Sequence, residues 1–417
     1  MRLKALAGVL LLSWSAAALA ADAKPSPFKF EFHGFAAGTV AVQDGQANGL
    51  GQLPFFAIAQ PAADRLSFTG DVRESRFNFS MTGPKVMGGA TPKAVMEIDW
   101  FNNDGSGGSP ISLLPRVRVM YAELNWGANR ILFGQNYDLT TLLSPVTITH
   151  IAQPVHLAAG NLGFRRPGIQ GYHQFGDLKD KKAGKVEFAW ELGRTAWTDT
   201  AAIGASSCTQ GAVNGVTPQP GFCPGEASGL PTVEARLAYY QGSFTAFVAG
   251  HFARVDRNGV GLAEPDDGPY ALRSIDQISG NAGAKGSMGP ITLAAAGYVG
   301  KNTGTQSSSI GGQLTGNGDV HEWGAWGQVG FAFTKHVSLW GFAGVAHPNE
   351  ADAKAAGGSY ARLRNVNTSA LLQYRDGGYA IGLEYLHMHT NWIKAATGST
   401  TPDPDVNQLA LTGVYFF

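Results

Sequence analysis

The chain has 417 residues, of which 15% are charged and 56 are glycine, and its 31 basic and 31 acidic residues cancel. That balance excludes a nucleic-acid partner held by a global positive field, and past the first twenty residues no run approaches the ~18–20 consecutive apolar residues of a membrane helix. A mean hydropathy of -0.07 is what strands give when lipid-facing and water-facing residues alternate, so the composition points to β-structure.

In chain order, Arg2 and Lys4 form a charged start, Leu6 to Trp14 an apolar run, and Ala18-Leu19-Ala20 a small-residue cleavage site. Residues 1–20 are thus a predicted export signal, and 21–417 one predicted domain. Phe28, Phe30 and Phe32 then alternate with Lys29, Glu31 and His33 in a first strand reaching Val42. A second strand at 65–82 puts Phe77, Phe79 and Met81 opposite Arg76, Asn78 and Ser80. A third alternates Ala94, Met96, Ile98 and Trp100 with Lys93, Val95, Glu97 and Asp99. Pairs at 116–126 and 129–137, 231–240 and 243–255, 320–333 and 337–347, and 364–375 and 378–389 are joined by tight turns. Asp376-Gly377-Gly378 is the strongest turn signal, since glycine supplies positive φ. Between these pairs run long connections: 43–64, 138–165, 199–230, 256–273, 302–319, 348–363 and 390–404.

Two stretches fit less well. Arg116 and Arg118 share parity with Ala122, Leu124 and Trp126, which requires either a bulge or a strand end above the lipid. Residues 274–288 are glycine-rich and only weakly alternating. Cys208 and Cys223 lie in one Gly/Pro/Ser-rich loop. With no further thiol or histidine nearby to complete a zinc site, a disulfide formed after export is the expectation.

The last stretch, 407–417, alternates Leu409, Leu411, Gly413, Tyr415 and Phe417 with Gln408, Ala410, Thr412, Val414 and Phe416, and resembles the closing strand of a bacterial outer-membrane β-barrel. The whole pattern predicts an all-β fold: a transmembrane antiparallel barrel of about sixteen strands, with short periplasmic turns and long outer loops.

The run Gly134-Gln135-Asn136-Tyr137-Asp138 before a Pro145-containing third loop carries a more specific likeness. So do Arg116-x-Arg118-x-x-Tyr121-Ala122-Glu123-Leu124 and Arg165-Arg166-Pro167. Together these resemble the DcaP-like porins, relatives of general trimeric bacterial porins. The chain departs from those members with a helical N-terminal extension, since about seven residues separate the cleavage site from the first strand. The resemblance implies a third loop folded into the lumen, a homotrimer in outer-membrane lipid and lipopolysaccharide, and arginines offered to small anionic solutes such as dicarboxylates.

The residues lead the same way. Leu139, Leu142, Leu143, Val146, Ile148, Ile151, Val155 and Leu157 make the third loop too apolar for an exposed position. Arg76, Arg116, Arg118 and Arg130 are lumen candidates, with Arg165 and Arg166 at the loop exit. Glu97, Asp99 and Glu123 are their possible partners, so the arginines could equally be structural ion pairs. Ser144 with His150 or His156 has no third group to orient it for catalysis. His387 and His389 alone do not make a metal site, and no cofactor is expected. The expected function is passive diffusion of small hydrophilic solutes with a preference for anions. The alternatives are an eighteen-stranded channel specific for a sugar or phosphate, or a barrel hydrolase.

Overall fold

The structure is a computed structural model. It describes residues 27–48, 55–58, 66–101, 114–163, 165–176, 183–195, 228–256, 274–303, 306, 318–355, 362–393 and 403–417. The expected signal segment and both cysteines, Cys208 and Cys223, lie outside these residues.

One antiparallel sheet curls until its first and last strands meet. Its strands are β1 Lys29–Gln43, β2 Ser67–Asp71 continuing as Arg76–Thr82, β3 Thr91–Asp99, β4 Arg116–Asn125, β5 Asn129–Tyr137, β6 Arg165–Phe175, β7 Lys185–Gly193 and β8 Thr232–Gln241. It continues with β9 Phe244–Asp256, β10 Ser274–Met288, β11 Ile291–Lys301, β12 His321–Ala332, β13 Val337–Pro348, β14 Arg362–Asp376, β15 Tyr379–Trp392 and β16 Asp405–Phe416. The sheet has seventeen segments, but the two halves of β2 both pair with β1, so the barrel has sixteen strands. The eighteen-stranded alternative is therefore set aside.

Closure runs from Phe35 opposite Phe416 to Gln43 opposite Gln408. Gly34 and Phe417 exchange two backbone hydrogen bonds of 3.0 Å, which ties the last residue into the seam. A Cβ at Gly34 would lie 2.2 Å from the carbonyl oxygen of Arg76, so only glycine lets β1 approach β2 this closely.

The alternation read from the sequence becomes inside and outside. Along β15, Tyr379, Ile381, Leu383 and Tyr385 are exposed, while Ala380, Leu386 and Met388 are buried within the barrel. An outer wall so apolar is stable only against lipid, and closure leaves no unpaired edge there. Aromatic side chains crowd its turn end: Phe32 lies 5.2 Å from Phe417, and Phe331 lies 5.1 Å from Phe333. The weakly alternating 274–288 is one continuous strand of 15 residues. Its contrast is faint because Gln277, Ser279 and Asn281 point inward while Gly280, Ala282 and Ala284 point outward, so over residues 279–287 neither face carries a large apolar group.

Two connections fold inward. A short ribbon pairs Gln46–Asn48 with Phe56–Ile58. It is held to the wall by Trp392, whose Nε1 donates to the Ala57 carbonyl at 3.1 Å, and by Arg362 stacked 4.2 Å over Phe56. The other is the third loop, 138–163. There Leu139, Ile148, Val155 and Leu157 are all buried, as the lumen placement predicts. At Gly160, with φ of 104°, a Cβ would sit 2.4 Å from the Ala325 backbone, so the loop lies flat on the wall.

Candidate pore constriction

A loop can be buried only if its backbone groups find partners. The inward residues of the barrel wall supply them. Gln328 makes a reciprocal pair with Val146, accepting from its N–H and donating to its carbonyl at 2.7 Å each. Asn367 donates to the Val155 carbonyl at 3.0 Å, and Asn365 to the Ala158 carbonyl at 2.8 Å. The Glu234 carboxylate accepts from the Leu139 N–H at 2.7 Å. Glu384 accepts from the hydroxyl of Thr147 at 2.7 Å, from that of Thr149, and from Ser369 at 3.0 Å. The loop is thus fastened along an arc from β8 through β12, β14 and β15. Between these polar anchors, Ile148 packs with Leu371 and Val414.

Two histidines sit inside this packing. His156 lies edge-on to Trp326 at 5.5 Å, and burial pushes its imidazole down to about 3. Burial also lowers His150, against the attraction of Glu384. Ser144 is exposed, and no hydrogen bond joins it to either histidine among the described residues.

Facing the loop is the arginine wall of β2 to β6. The register of β3 against β4 shifts between Glu97 and Ile98, which face Val119 and Val117, leaving Arg118 as the extra residue of a bulge. The parity conflict is resolved by this bulge: Arg118 and Val119 both turn inward, at 2% and 5% exposure, while Val117 and Met120 face outward. Arg118 is fully engaged, donating to Glu97 at 2.8 Å, Asp99 at 2.6 Å and the Tyr137 hydroxyl at 2.9 Å. Arg116 forks onto Asp99 at 2.9 and 2.6 Å. Arg76 lies 3.6 Å from Glu97 and donates to the Ile151 carbonyl of the loop at 3.5 Å. Arg165 stands 5.6 Å from the Tyr137 ring. The structure thus brings Arg76, Arg116, Arg118, Arg165, Glu97 and Asp99 together.

Three sequence candidates sit elsewhere. Arg166 clips the neck of the third loop, gripping Asp138 in a fork of 2.9 and 2.8 Å and donating to Thr232 at 3.1 Å. At 3% exposure it has no access to a solute. Arg130 and Glu123 pair at 3.4 Å near the turn between β4 and β5, at the opposite end of those strands from Arg116 and Tyr137. The anchors Gln328, Asn365, Asn367 and Glu384 were not singled out in the sequence. Their signal was present in Asn365-x-Asn367-x-Ser369, polar residues on the inward parity of a strand.

His387 and His389 both approach Asp405, at 3.6 and 2.8 Å, and among the described residues no group of three potential ligands is placed to hold a metal.

No family model and no curated protein matches the chain. Solved structures do. The outer-membrane channel DcaP of Acinetobacter baumannii superposes with a TM-score of 0.68 at 13% identity, covering 95% of this chain and 99% of that one. An anion-selective porin from Comamonas acidovorans gives 0.55 at 12%, covering 94% and 100%. OmpF of Salmonella typhi gives 0.52 at 14%, covering 95% and 99%. What is shared is the fold: a porin-type β-barrel of the bacterial outer membrane.

Proposed function

We propose that this barrel is an outer-membrane porin that passes small hydrophilic solutes by diffusion, with a modest preference for anions such as small dicarboxylates. The observation that carries the sign is the charge count on the wall opposite the loop. Arg76, Arg116 and Arg118 face Glu97 and Asp99, three guanidiniums to two carboxylates before Arg165 is added. A low-dielectric wall focuses such an excess onto the lumen. The fork geometry of arginine suits carboxylates. Because Glu97 and Asp99 cancel much of the field, the preference is partial. The outward apolar wall fits lipid and lipopolysaccharide, and its aromatic patch around Phe30, Phe79 and Met120 is suited to association of three copies.

The test is the ionic reversal potential under a salt gradient, wild type against Arg116→Ala/Arg118→Ala. The wild type should be anion-selective, and the variant should move toward cations because Asp99 loses both of its arginine partners and Glu97 keeps only Arg76. A wild-type pore that already favours cations, or a variant with unchanged selectivity, would overturn the anionic assignment.

A further inference from the structure

At the turn end of the same barrel wall, two adjoining cavities of about 350 and 490 Å³ share Asn125 and Gly127 in their linings. Arg130 and Lys185 line the first, and Lys85 and Lys93 the second. Their acids are Glu187 and Glu123. Glu187 is saturated, accepting from Arg236 at 2.9 Å, from Gln174 at 3.1 Å and from the Tyr240 hydroxyl at 3.4 Å. Glu123 holds Arg130 at 3.4 Å and lies directly across the ladder from Lys93. Four cations therefore line the cavities against two acids, and neither Lys85 nor Lys185 has an ion pair among the described residues.

Arg130 is also shaped for a ligand. Its guanidinium lies 3.9 Å over the ring of Tyr172, whose hydroxyl is fixed by Gln170 at 2.6 Å. Stacking holds the plane of the fork while its edge stays open to the cavity. Seven residues of strand, at roughly 3.3 Å each, separate Arg130 from Tyr137, which accepts from Arg118. This second cationic group is thus about 23 Å along the wall from the constriction, beyond the reach of a Debye length of about 8 Å.

We propose that the turn-end mouth is a second anion station, with Arg130 stacked on Tyr172 as its fixed fork and Lys85, Lys93 and Lys185 as its collecting charges, and that it takes organic carboxylates. It rests on the porin reading but not on the constriction arginines. An anion leaving the constriction meets another attractive site before the exit, and one arriving from the turn side is captured there first.

The probe is succinate, added separately to each side of single channels in a planar bilayer, with a neutral sugar as control. Lys85→Gln/Lys185→Gln changes two side chains that hold no ion pair among the described residues, so folding should be unaffected, as heat-shifted gel mobility will verify. From the turn side, the succinate association rate should fall about threefold to tenfold in the variant, the effect falling off at high salt. Arg130→Gln should chiefly shorten succinate residence. The reversal potential in simple salt should move much less than in Arg116→Ala/Arg118→Ala. Unchanged turn-side association in an anion-selective pore would overturn the station and leave the porin reading intact. Absence of any channel would overturn both.

Discussion

Arg118 and Val119 are adjacent in the chain yet both point into the barrel, because the bulge between β3 and β4 absorbs one residue. The bulge puts a guanidinium where an unbroken ladder would have placed it in lipid. Removing that guanidinium leaves Glu97 and Asp99 without part of their compensation in a buried site. Arg118→Ala should therefore lower stability by about 3–5 kcal/mol. The denaturant midpoint of the folded barrel measures it, and a change of less than about 1 kcal/mol would mean that water replaces the guanidinium without penalty.

The Gly34 seam makes a sharper steric prediction. A methyl group there meets the Arg76 carbonyl, so Gly34→Ala must push β1 from β2 or shift the Phe417 end of the seam. Overpacking of this kind costs about 1–3 kcal/mol. Gly38, where a Cβ meets nothing within 4 Å, is the control, and Gly38→Ala should be near neutral. Equal effects at both positions would contradict the close approach.

Glu384 fastens the third loop through two hydroxyls, those of Thr147 and Thr149, while Ser369 on the neighbouring strand β14 holds its other carboxylate oxygen. Hydrogen bonds to a charged acceptor contribute about 1.5–3 kcal/mol each. Glu384→Ala should release this part of the loop, seen as larger and noisier single-channel conductance, with Glu384→Gln intermediate. Identical open-channel traces in all three proteins would place the anchoring elsewhere.

The loop histidines predict a direction with pH. His150 and His156 are lowered by burial, His156 to about 3, below the usual value near 6.5. The undocked loop therefore binds more protons than the docked one. Docking is fully stable above about pH 6.5 and weakens as pH falls below it, by about 1.4 kcal/mol per unit for each ring until the docked value is reached. Single-channel conductance and its noise should rise as pH falls from neutral to about 4.5. His156→Gln, which cannot titrate, should flatten part of that slope, and a slope that survives in His150→Gln/His156→Gln would assign it to the lumen carboxylates instead.

Cys208 and Cys223, outside the described residues, are proposed to form a loop disulfide. Peptide mapping of protein exported by its native route should find them linked, and two alkylatable thiols in that material would reject the pairing.

What the sequence by itself determined is whatever depends on period and local turn chemistry. The alternation of Tyr379, Ile381, Leu383 and Tyr385 with small or polar neighbours has no stable arrangement except a two-faced strand. The Asp376-Gly377-Gly378 turn fixes where it reverses: Gly377 adopts φ of 55° there. Such signals need no knowledge of distant residues, and they carried the strand map, while the infolding of the third loop came from its apolar composition and from the family resemblance. Partner choice is different in kind. Arg116, Arg118, Arg130 and Arg166 look alike in the sequence, yet one forks onto Asp99, one bridges Glu97 to Tyr137, one stacks on Tyr172 at the far mouth and one clips the loop neck through Asp138. Which of these a guanidinium does depends on barrel stagger and on a single bulge, since one residue of register sends a side chain to the opposite face. The anchors of the loop, Gln328 and Glu384, lie some two hundred residues from what they hold, 182 for Gln328 and Val146 and 237 for Glu384 and Thr147. Only closure of the sheet, which brings the inward faces of β12 and β15 against the third loop, could decide that contact.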